Sequence, residues 1–150
     1  MKISIASDHA AYNEKQEIIK YLLDKRLDVV DLGTNSEESV DYPIFGQRVA
    51  ESIIDKKVDR GIVICGTGIG ISIAANRYKN IRATLCNTPE HAEMARKHND
   101  SNVLALGGRT TNLEDLKSIV DVWLSTDFEG GRHQKRINLI AKEYDKHFRN

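Results

Sequence analysis

The segment Cys65-Gly66-Thr67-Gly68-Ile69-Gly70 joins a thiol and a hydroxyl to three glycines spaced two apart. Ahead of it runs Ile62-Val63-Ile64, apolar without alternation, as in a strand buried on both faces of a parallel sheet. Behind it Ile73, Ala74 and Ala75 read as helix. Strand, glycine turn and helix in that order set unpaired N–H groups at a helix N-terminus, which attracts anions. A thiol and a hydroxyl at its lip point to a reaction in which negative charge develops on oxygen.

Commoner glycine motifs do not fit. The dinucleotide fingerprint fails because Ile71 stands three residues after Gly68, and residues 85–89 offer no acid for a ribose. Gly61 and Gly66 have Walker spacing, but strand lies between them and no Lys follows. A phosphatase-type Cys-x5-Arg loop needs Arg where Ile71 stands. The plainer reading is that the glycines let a helix pack closely and that Cys65 is a small buried hydrophobe. Polar residues at other strand ends argue against it. Asp8 and His9 follow the first apolar run, and Tyr42 follows Asp41 at a helix start. Arg109, Arg132 and Arg136 lie in or just after glycine-rich loops, where forked donors suit a phosphate. His98, taken alone, reads as a cap on a helix C-terminus. His91 and His147 read as surface residues, and Cys86 serves as an internal control because no glycine turn follows it.

The elements that must position these residues alternate. Strands are expected over 3–6, 29–32, 62–64, 81–85 and 103–106. Helices are expected over 12–26, 42–56, 89–99 and 113–123, with a last one from 134. Asp41 and Asn112 are in cap positions, and Pro43 and Pro89 stand in first turns. Ile18, Ile19, Leu22 and Leu23 form one helix stripe, and Phe45, Val49, Ile53 and Ile54 another. Five strand–helix alternations predict a three-layer α/β sandwich around a five-stranded parallel sheet, with a Rossmann-like order 2-1-3-4-5 and an added C-terminal helix. That order sets the switch point between strands 1 and 3, where Asp8-His9 would face Cys65-Gly66-Thr67.

The 150 residues suit one domain, 1–150, that buries about 70% of its unfolded surface. Lys and Arg together number 22 and so do Asp and Glu, so no net field draws nucleic acid or anionic membrane. Apolar runs are too short for a bilayer span, no signal peptide is evident, and two cysteines suggest reduced thiols in cytoplasm. No His/Cys/carboxylate cluster has metal-ligand spacing, so no metal is expected.

Asp8-His9 with Tyr12, Asp41-Tyr42-Pro43, the run from Cys65 to Asn76, His98-Asn99-Asp100 and Gly130-Gly131-Arg132-His133-Gln134 together resemble ribose-5-phosphate isomerase type B, a family related to the galactose-6-phosphate isomerase subunits. The likeness covers essentially the whole chain. It implies an aldose–ketose isomerase acting on a sugar phosphate without metal or organic cofactor. By position, it implies that Cys65 moves a proton between C1 and C2. The amides of Gly66, Thr67, Gly68, Ile69 and Gly70 would hold the enediolate oxygen, and His98 would open the sugar ring. Asp8, His9, Tyr42 and Asn99 would hold the sugar, and Arg109, Arg132 and Arg136, with His9, the phosphate. The chemistry agrees with the unaided reading: an enediolate must be stabilised as it forms, and oriented N–H donors do so at small reorganisation cost. Thr67 and Asp8 are both candidates to shuttle the proton between O1 and O2. Ala10-Ala11 departs from the family, which often has glycines there; two methyls at the pocket mouth bear on sugar length. The alternatives are a six-carbon substrate such as allose or galactose 6-phosphate, and a non-catalytic sugar-phosphate sensor. The resemblance also implies a homodimer with shared sites, or a tetramer of such dimers. In the order 2-1-3-4-5, strand 5 would lie two places from strand 3, about 10 Å sideways. His98 would then be displaced from Cys65 both sideways and along the sheet.

Overall fold

The computed structural model describes residues 1–148, apart from the side chains at 143–145 and 147–148. The reading of His147 therefore falls outside the described side chains. The elements run β1 (Lys2–Ser7), α1 (Tyr12–Asp24), β2 (Asp28–Asp31), α2 (Tyr42–Ile54), β3 (Arg60–Cys65), α3 (Ile69–Ala75), β4 (Ala83–Leu85), α4 (Pro89–Asn99), β5 (Val103–Gly107), α5 (Leu113–Ser125) and α6 (Arg132–Phe148). A 3-10 turn, His9–Ala11, links β1 to α1. The expected three-layer α/β sandwich is found, with all five strands parallel.

Period-two alternation sorts the strand side chains onto two faces. Ile3, Ile5, Ile62, Ile64, Leu104 and Leu106 pack with α1, α4 and α5, around the fully buried Trp123. Ala6, Val63, Cys65, Val103 and Ala105 face α2 and α3. Each fully buried Ile or Leu contributes about 1.5–3 kcal/mol, so register is strongly held on both faces. The buried stripes are narrower than expected: Ile18 and Leu22 are buried, whereas Leu23 and Ile54, though within their helices, are exposed at the edge of the packed face, and α1 and α2 end at Asp24 and Ile54 and not at 26 and 56. Asn112 accepts the Asp115 N–H at 3.0 Å as expected, whereas Asp41 occupies its cap position without a side-chain hydrogen bond.

The strand order is β2-β1-β3-β5-β4, which corrects the expected 2-1-3-4-5 at one edge. All five residues of β5 are buried, whereas β4 is three residues long and half-buried throughout. An apolar strand belongs in the middle and a short, wetter one at the edge. Cys65 therefore pairs directly with Gly107, and the sideways offset of about 10 Å expected between strands 3 and 5 does not exist.

Candidate active site

The carboxyl ends of β1, β3 and β5 lie side by side, and backbone hydrogen bonds lace their loops together. Asp8 N–H donates to the Ile64 carbonyl at 3.2 Å, Gly108 N–H to Cys65 at 2.9 Å, and Arg109 N–H to Gly66 at 3.0 Å. This is the switch point expected between β1 and β3, with β5 added as a third wall. Here the structure brings together Asp8, His9, Tyr42, Cys65, Gly66, Thr67, Gly68, Ile69, Gly70 and Arg109.

Cys65 is buried at the β3 end, and its sulfur accepts the Gly68 N–H at 3.1 Å. Gly68 makes that possible with φ at +76°. Thr67 is exposed at the lip, its hydroxyl accepting the Ile69 N–H at 3.3 Å. The helix that follows has only seven residues, so the turn's own amides carry more of the anion attraction than a summed helix dipole. Its first-turn N–H groups have no intrahelical acceptor. The Tyr42 ring walls this turn, so close that a methyl on Gly70 would lie 2.6 Å from it.

Asp8 is buried beside this turn and accepts the Ala10 N–H at 3.0 Å. Burial pushes its carboxyl above the ordinary range, although His9, two backbone N–H groups and Arg109 pull the other way. His9 Nδ1 lies 3.1 Å from the Val40 nitrogen and 3.2 Å from its carbonyl, which anchors that nitrogen and leaves Nε2 for a ligand. Arg109 is exposed, and its side chain passes over Gly66, where a methyl would touch it at 3.4 Å. The two alanines of the β1 loop part company. Ala10 faces Gly66, whereas Ala11 is fully buried against Gly108, so only one methyl stands at the pocket mouth. Cys86 is fully buried, and desolvation pushes its thiol up to about 12.

The remaining candidates lie elsewhere. His98 and Asn99 end α4, before the amino end of β5, while Cys65 is beside the last residue of that strand. The four residue steps of β5 span about 13 Å. His98 does not cap its helix; Arg82 does, donating to the carbonyls of Asn99 and Asp100. The His98 ring instead stacks on His133, with centroids 4.3 Å apart and planes 12° from parallel. Arg132 and Arg136 flank His133 in the first turns of α6. Burial and these cations, with His98 itself, hold the His133 imidazole below its ordinary pKa. In the sequence, His133 stands only within the resemblance segment 130–134, with no role of its own, and its neighbour Glu129 is not singled out. Only the fold brings them to His98, about a fifth of the chain away.

A family model described as Ribose/Galactose Isomerase matches residues 3–140. The chain is 48% identical over 140 residues to ribose-5-phosphate isomerase B of Escherichia coli (strain K12), covering 93% of this chain and 94% of that one. Its fold matches the Clostridium thermocellum ribose-5-phosphate isomerase B structure with a TM-score of 0.97 at 51% identity, covering 98% and 99% of the two chains. The Mycoplasma genitalium ribose-5-phosphate isomerase B with bound ribulose-5-phosphate matches with a TM-score of 0.91 at 42% identity, over 97% of each.

Proposed function

Because the chain belongs to the Ribose/Galactose Isomerase family, we propose that it interconverts ribose 5-phosphate and ribulose 5-phosphate through an enediolate, with its own side chains and no cofactor. The observation that carries this reading is the Cys65 sulfur, held 3.1 Å from the Gly68 nitrogen at the mouth of the glycine turn. In the open-chain aldose, the Cys65 thiolate takes the proton from C2 and returns it to C1. Amides of the turn receive the oxyanion that forms in between. Asp8 and Thr67 both stand where the proton exchanged between O1 and O2 could pass.

Two half-sites serve this reaction. His9 and Arg109 attend Cys65, whereas His98 and Asn99 lie with Arg132 and Arg136 about a strand length away. A homodimer in which a second copy brings its His98 group over the first copy's Cys65 completes both. Exposed apolar side chains beside the turn, Tyr42, Ile44, Ile69 and Ile73, suit burial in such a contact. His98 then protonates the ring oxygen and opens the furanose, and the arginines hold the phosphate. Two free thiols and no described helix long and apolar enough to cross a membrane fit a cytoplasmic setting.

Proton NMR of ribose, allose and galactose phosphates with the protein in D2O tests this reading. Deuterium enters C2 if the proposal holds, fastest for ribose 5-phosphate. Binding without exchange would identify a sensor, and faster exchange with a six-carbon sugar would reassign the substrate.

A further inference from the structure

The stack between α4 and α6 has a third member. Glu129, in the loop before α6, places a carboxylate oxygen 3.5 Å from His133 Nε2. One ligand atom from each of His98, Glu129 and His133 lies within 4.8 Å of the others. Backbone bonds hold these residues in place. The Glu129 N–H donates to the Lys97 carbonyl at 3.1 Å, pinning its loop beside His98, and the His133 N–H donates to Gly130 at 3.0 Å. His133 is buried, His98 half-buried and Glu129 exposed, so the cluster is open to solvent on the side of Glu129 and His98.

Two imidazoles and a carboxylate are the ligand set of zinc and its neighbours, and not of calcium or magnesium, which take oxygen. Tetrahedral ligands at about 2.0–2.1 Å from a metal lie about 3.4 Å from each other. The cluster must therefore close by about 1.4 Å, and because a metal lies near the plane of each imidazole that binds it, the half-buried His98 ring must also turn out of its stack on His133. Charge works against tight binding: Arg132 Nε lies 3.4 Å from His133 Nε2, and Arg136 also bears on that ring. Glu129 offsets one of these two positive charges. The balance suits a reversible site and not a structural one.

We propose that His98, Glu129 and His133 bind one transition-metal dication of the zinc class, with a fourth position open to water. Such an ion occupies a nitrogen of His98, so it inhibits where His98 must deliver a proton. The inhibitory part rests on the ring-opening role proposed above; the binding part does not. Cys65 takes no part, being at the opposite end of the sheet.

The test is calorimetric titration of the intact protein with ZnCl2 in phosphate-free buffer, with Co2+ absorption as a second readout. One ion per chain should bind, without a thiolate charge-transfer band. Glu129→Gln and His133→Gln should each weaken binding by about tenfold or more, while Cys65→Ala leaves it unchanged. No binding at millimolar metal, unchanged binding in both the Glu129 and His133 variants, or loss in Cys65→Ala would overturn the site. Zinc should also slow conversion of ribose 5-phosphate more than that of ribulose 5-phosphate. Glu129→Gln should keep the metal-free rate and lose that sensitivity. Tight binding with equal inhibition in both directions would uphold the site and reject the ring-opening role of His98.

Discussion

Two thiols stand at strand ends in this chain, and their surroundings separate them. The Cys65 sulfur accepts a backbone N–H from a glycine turn with an arginine alongside. Cys86 lies in the apolar core with its thiol directed at the Thr84 carbonyl, 3.7 Å away, and, pushed up to about 12, it carries almost no thiolate near neutral pH. Cys65→Ala should therefore lower kcat by about 10²–10⁴ while affinity for the sugar phosphate survives. Cys86→Ala should be nearly silent in the same assay. Retention of more than about a tenth of kcat in Cys65→Ala would move the base to another residue. Sequence singles out Cys65 because the glycines adjoin it. The burial that silences Cys86 comes from packing against residues distant in the chain.

At the scale of elements, the β3–α3 turn is built around Gly68. A methyl there would meet Leu85 Cδ1 at 2.5 Å and the Leu106 carbonyl carbon at 2.8 Å, and the left-handed backbone adds to the conflict. The conformation alone costs a non-glycine residue about 1–2 kcal/mol, and the backbone of β5 cannot step aside. Gly68→Ala should lower the denaturant midpoint with little change in m, and should also cut activity by displacing the amide that meets Cys65. An unchanged midpoint would mean that the turn tolerates a side chain and that its glycine is not conformationally required. The same turn shows what spacing conveys: three glycines announced a tight strand-to-helix passage, and β1 had the expected neighbours on both sides, whereas β3 has β5 where strand 4 was expected. The order of β4 and β5 did not follow, because both are short runs and only their relative burial decides which is central.

At the scale of the whole molecule, His98 and Cys65 lie at opposite ends of the sheet in one chain. Adjacency of β3 and β5 removes the sideways part of their separation, but the length of β5 remains. The proposal that each site is assembled from two copies is tested by complementation. On that proposal, Cys65→Ala and His98→Ala proteins, each inactive on ribose 5-phosphate, should on refolding together form mixed dimers that each hold one intact site. Random pairing should restore up to about a quarter of wild-type activity. Mixed dimers shown to form and yet inactive would mean that each site is built from a single chain.

Local order along this chain specified much of its chemistry. The Cys65 turn, the Asp8-His9 pair after β1 and the alternation of strands and helices all depend on neighbours a few residues apart, which periodicity and turn-forming residues express directly. Contacts across long stretches of chain were decided only by tertiary packing. Three examples are the insertion of β5 beside β3, the burial of Ala11 against Gly108, and the meeting of His98 with Glu129 and His133. No local pattern encodes such meetings. They arise when apolar faces formed in separate segments are buried together, and the polar residues those segments carry arrive with them.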